Sequence, residues 1–90
     1  MKQLIENNYK SIQARGLITT FTPKREFLNK LIEEVREVQE AIDFNDMDNL
    51  KEEIADVILT ALNFARHYDF DIEEELKSKI ETNFKRAINN

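Results

Sequence analysis

The chain has 90 residues and a mass of 10.7 kDa, enough for one small domain that buries about 60–65% of its extended surface. With no cysteine and one histidine, disulfide scaffolds, thiol catalysis, Cys-ligated zinc and sites built from two or three histidines are excluded, and one Gly with one Pro argues against a turn-rich all-β fold. A formal net charge of −5 and a pI near 4.9 disfavour a nucleic-acid surface held by phosphate neutralisation.

Apolar runs reach only three or four residues, too short for a membrane span. The opening MKQLIENNYK lacks the apolar stretch of a secretory signal, so a cytoplasmic protein is expected. Charge is unevenly spread. Residues 1–25 hold five cations against Glu6, a net of +4, whereas residues 26–56 hold eleven acids against Lys30, Arg36 and Lys51, a net of −8. Residues 57–90 come to −1.

Residues 2–15 read as a first helix, with Leu4, Ile5, Tyr9 and Ile12 on one side and Gly16 as the C′ residue. Leu17–Phe21 is β-branched and aromatic and reads as an extended connection. Thr22-Pro23 gives an N-cap followed by proline at the first helical position, which predicts a second helix running to about Asp43. Its apolar stripe is Leu28, Leu31, Val35, Val38 and Ile42, with Ile32 beside it. Asn45-Asp46-Met47-Asp48 is a turn with capping residues for a third helix over about 48–68. Asp71 caps a fourth, whose first turn holds Glu73, Glu74 and Glu75 and whose stripe is Ile72, Leu76, Ile80, Phe84, Ala87 and Ile88. Short connections make helices two, three and four antiparallel neighbours, hence an all-α four-helix bundle in one domain over 1–90.

Helix three is apolar nearly all round, through Leu50, Ile54, Val57, Ile58, Leu59, Leu62 and Phe64. Such a helix is buried on two sides, the second against a partner subunit. Glu53, Asp56, Thr60, Asn63 and His67 interrupt it as one polar seam. Asp56 lies inside Ile54–Leu59, where a carboxylate without a partner is costly. On helix two, Glu34 and Glu37 lie about 60° apart on the flank of the stripe, and Glu33 lies further toward solvent. Two helices joined by a tight turn thus aim two i, i+3 acid pairs at one volume. Their mutual repulsion needs protons or divalent cations, and oxygen ligands alone favour Mg²⁺ or Mn²⁺. On helix four, Lys79, Asn83 and Arg86 fall on one line suited to phosphate oxygens. Each feature alone has an ordinary reading as a solvated helix face.

Together, Lys30-Leu31-Ile32-Glu33-Glu34-Val35-Arg36-Glu37-Val38, Glu53-Ile54-Ala55-Asp56-Val57 and the trio Lys79, Asn83, Arg86 resemble the MazG-like nucleotide pyrophosphohydrolases of the all-α NTP pyrophosphatase superfamily. The shared pattern is EExxE followed by ExxD, here with fifteen residues between Glu37 and Glu53, and the similarity covers about residues 24–88. The resemblance implies a helical module that forms dimers or tetramers. It also implies Mg²⁺-dependent hydrolysis of an NTP or dNTP to the monophosphate plus pyrophosphate, as nucleotide-pool cleaning. Glu34, Glu37, Glu53 and Asp56 would be metal ligands, and Glu33 an auxiliary ligand or a residue holding a coordinated water. Glu37 or Glu34 would activate water, and Lys79, Asn83 and Arg86 would bind phosphate. Arg36 stands where the family commonly has a small residue. The base site is open, with Phe21 and Asn63 the first candidates and Tyr9, Phe27 and His67 behind them. The rival expectation is a catalytically silent helical interaction module with the same fold.

Overall fold

A computed structural model describes residues 1–89. It is built from α1 (Lys2–Ala14), α2 (Lys24–Asp43), α3 (Met47–His67) and α4 (Ile72–Asn89), with no strand among the described residues.

Three of the helices end in the same way. Gly16 at φ 72° closes α1, with its N–H bonded to Gln13 O and that of Leu17 to Ile12 O. Asn45 (φ 53°) and Asp69 (φ 54°) do the same for α2 and α3. Each is a Schellman turn, in which one left-handed residue lets two N–H groups satisfy the last carbonyls. Asp46 Oδ1 accepts from Asn49 N to start α3, and Asp71 Oδ1 accepts from Glu74 N to start α4, as their sequence positions predict. Thr22 is different. Its hydroxyl accepts from Thr19 N, within the connection, so it does not cap α2. Pro23 is extended at ψ 156° and precedes the first helical residue, Lys24.

The tight turn at residues 44–46 folds α2 and α3 into an antiparallel pair, and α1 packs across α3 on another side. The contact face of α2 is rotated from the predicted stripe. Phe27, Glu34 and Ala41 are buried, at seven-residue steps, while Val35 and Ile42 are exposed. Seven residues are close to two helical turns, so these three share one seam. A carboxylate therefore occupies the middle of the α2–α3 contact.

The apolar centre lies at the other end of the pair. Tyr9, Phe27 and Ile18, the last from the connection after α1, pack with Ile12, Phe64 and Tyr68. Phe27 stacks on Phe64 at 5.0 Å between ring centroids. Tyr9 Oη meets His67 Nδ1 at 2.8 Å, so His67 is taken up in the core edge. Arg66 ties α1 to α3: its guanidinium donates to Glu6 at 2.6 and 3.3 Å and to Asp69 at 3.1 Å and lies over the Tyr9 ring. The hydrogen bond from Arg66 holds the Glu6 carboxyl below its ordinary range.

α4 contributes no buried residue, and Leu76, Ile80, Phe84 and Ile88 are exposed along it. Ile54 and Ile58 on α3 are also uncovered. The radius of gyration is 15.4 Å, against about 12 Å for a compact chain of this length. Its accessible surface is 7150 Å², against about 5,500 Å² from the usual mass scaling. The four helices form an open arrangement centred on α3.

Candidate metal centre and adjoining cleft

Helical spacing brings Glu34 and Glu37 from α2 into line with Glu53 and Asp56 from α3. One carboxylate oxygen from each lies within 4.8 Å of those of all the others. Opposite oxygens around octahedral Mg²⁺ are about 4.2 Å apart, so the spacing of the set is of the size that one such ion spans. Glu34 is buried, Glu37 and Glu53 are half-buried, and Asp56 opens to solvent.

Two oxygens in this cluster, Oε2 of Glu34 and Oε2 of Glu53, are buried with no hydrogen-bond partner among the described residues. Buried carboxylate oxygens without donors are strongly disfavoured unless something else meets them. The other Glu34 oxygen is met by Lys30 Nζ at 3.0 Å, and this hydrogen bond raises the Lys30 ammonium above its ordinary value. Sharing a proton with Glu53, together with the negative charge of Glu34, pushes the Glu37 carboxyl up to about 7 from 4.5. The cluster thus holds excess negative charge that a proton or a cation relieves. The donor set, oxygen only and carboxylate only, fits a hard divalent ion.

Beside the carboxylates runs a cleft of about 560 Å³ bordered by α1, α2, α3 and the connection after α1. Glu34 and Asp56 stand at its edge, with Lys30 and Arg15 as its cations. Asn63, 7% exposed, borders it, as does Phe27. Phe21 does not; it is 91% exposed. Glu33 is exposed, 3.6 Å from Lys30 Nζ, and stands outside the four-carboxylate group. Arg36 points to solvent. Lys79, Asn83 and Arg86 are exposed on α4, and none of them borders the cleft.

Sequence reasoning passed over Asn8, Arg15 and Lys30. Lys30 carries a usable signal, since it stands four residues before Glu34 on one helix face. Asn8 and Arg15 carry none, because their proximity to the site depends on how α1 crosses α3.

No curated protein and no solved structure matches the chain. The profile of the MazG nucleotide pyrophosphohydrolase domain matches residues 22–87, a span that contains both acid pairs and leaves α1 outside. The chain therefore belongs to the MazG nucleotide pyrophosphohydrolase family.

Proposed function

We propose that the protein is a Mg²⁺-dependent nucleoside triphosphate pyrophosphohydrolase that converts an NTP or dNTP to its monophosphate and pyrophosphate. The observation that carries this reading is the convergence of four carboxylates, two of them with orphaned buried oxygens, at the edge of a cleft large enough for a nucleotide. Glu34, Glu37, Glu53 and Asp56 would hold the ion, with Mn²⁺ as an acceptable substitute. When bound, the ion supplies charge neutralisation for the phosphates and acidifies water.

The chain's own residues do the rest. Lys30 holds Glu34 through one carboxylate oxygen and leaves the other without a donor. Glu37, or Glu34 beside it, accepts the proton of the attacking water at a carboxylate oxygen. Arg15 and Lys30 place positive charge along the cleft, opposite the negative charge of a departing pyrophosphate. Lys79, Asn83 and Arg86 are a second basic line for phosphate oxygens, offered within the chain or across a contact between two copies. Glu33 is left as an outer residue that holds water.

The uncovered apolar residues on α2, α3 and α4 fit a homodimer or homotetramer. The excess accessible surface, on the order of 1,600 Å², is of the size that a stable interface removes. Sedimentation equilibrium tests this directly; a monomer at micromolar concentration would count against it.

Pyrophosphate release from each NTP and dNTP in Mg²⁺ tests the reaction. Loss of release in Glu37→Gln and Asp56→Asn supports it. The competing reading, a silent interaction module, rests on the exposed apolar faces and on an α4 basic line that does not reach the cleft. It predicts oligomers and cation-dependent melting without pyrophosphate from any nucleotide.

A further inference from the structure

The end of the cleft remote from the carboxylates is built where α1 meets α3. Asn8 Nδ2 donates to the main-chain carbonyl of Leu59 at 3.2 Å and to Asn63 Oδ1 at 2.7 Å. A main-chain carbonyl only accepts, so the first contact fixes which end of the Asn8 amide is nitrogen. The second contact then fixes Asn63, which must turn its oxygen to α1. Its Nδ2 keeps both N–H groups free. Asn63 is 7% exposed, and among the described residues its side chain takes part in that one hydrogen bond alone. Its Nδ2 is not sealed from water without a partner, and Asn63 borders the cleft, so its N–H groups stay available to a ligand acceptor.

The cleft also has a direction. From Asp56 to Asn63 is seven residues of α3, about 10 Å along the axis, and from Glu34 to Phe27 is the same step along antiparallel α2. Both lead from the hard-cation end to an end with neutral amides and an aromatic ring, both bordering one cleft. Of the neighbouring cations, Arg66 is already engaged by Glu6 and Asp69 and Lys30 by Glu34. The amide end suits a nucleobase.

We infer that Asn63 reads the nucleobase, donating from Nδ2 to a carbonyl oxygen or ring nitrogen of the base, and that Asn8 is the positioning residue that sets its orientation. This rests on the nucleotide reading given above. It makes α1, outside the family-matched span of 22–87, the wall that tunes substrate choice, while α2 and α3 carry the chemistry.

Asn63→Asp tests it with little change of shape: the carboxylate still accepts from Asn8 but presents an oxygen where the N–H stood. Wild type, Asn63→Asp and Asn8→Ala are titrated by calorimetry with α,β-methylene triphosphates of all four bases, ribo and deoxy, in Mn²⁺. Pyrophosphate release from the hydrolysable nucleotides is measured in parallel, and the Mn²⁺-induced rise in Tm reports folding of each variant. The expected result is a changed order of preference among bases in Asn63→Asp, with the best base losing about tenfold or more. Asn8→Ala flattens the preference without reversing it. Base ratios unchanged in both variants, with hydrolysis intact, overturn the inference and leave the hydrolase standing. A change confined to the ribo-to-deoxy ratio also overturns it, assigning Asn63 to the sugar. Base-selective binding that shifts in Asn63→Asp without pyrophosphate release from any nucleotide upholds the inference and removes the hydrolase reading. Failure of the wild type to bind any analogue overturns both.

Discussion

Lys30 Nζ lies 3.0 Å from Oε1 of Glu34, while Oε2 of the same buried carboxylate has no hydrogen-bond partner among the described residues. One side chain thus holds half of this carboxylate in place and leaves the other half open, as the proposed cation site requires. Lys30→Met removes the ammonium that meets Oε1 of Glu34. Without divalent cations it should cost about 1–3 kcal/mol, seen as a Tm drop of several degrees. Mn²⁺ should then raise the Tm of the variant more than that of the wild type, since ligand that binds only the folded chain stabilises it. Equal Mn²⁺ shifts in both proteins would separate Lys30 from the cation site.

Removing a negative charge from the cluster should have opposite effects on stability and activity. Glu37→Gln relieves repulsion from Glu34 and Glu53 and should raise the cation-free Tm. It should lose most of the Mg²⁺-induced rise and reduce pyrophosphate release by about a hundredfold or more. Melting curves with and without Mg²⁺ and a pyrophosphate assay check both halves.

The Glu37 carboxyl titrates at about 7 in the folded chain and near 4.5 when unfolded. Between those values the folded state holds a proton that the unfolded state has released, so this group's contribution to stability falls as pH rises through the window. Cation-free melts should show that decline in the wild type, and Glu37→Gln should lack this part of it. Cation binding below about pH 7 should release a proton, read as a buffer-dependent enthalpy in calorimetry.

Both acid pairs were legible in the sequence, because helical spacing places Glu34 with Glu37 and Glu53 with Asp56 whatever the tertiary packing. Helix starts at Asp46 and Asp71 and the stop at Gly16 were legible for the same local reason. The buried face of α2 was not. A stripe through Val35 and Ile42 is the more apolar choice, but packing on α3 selects Phe27, Glu34 and Ala41, the face that seats Phe27 on Phe64 and brings the carboxylates of the two helices together. Thr22 reads as a cap only if its hydroxyl is free, and Thr19 N takes it. Asn8 is 51 residues from Leu59 and 55 from Asn63. No local pattern encodes that meeting. The basic line of α4 was legible as a line, but its distance from the cleft depends on how little α4 packs.

Gly16 ends α1 in the left-handed region at φ 72°, with open space where a Cβ would stand. Gly16→Ala should therefore cost about 1–2 kcal/mol from backbone conformation alone. A urea titration should show a lower midpoint with an unchanged slope.

The bare flank of α4 bears on how the protein responds to dilution. An isolated helix of 18 residues is only marginally stable in water, and this one has no buried side chain to hold it. Its amides should exchange with deuterium far faster at nanomolar than at micromolar protein, while those at the α2–α3 seam keep their protection. Helix content in that arm becomes a readout of self-association.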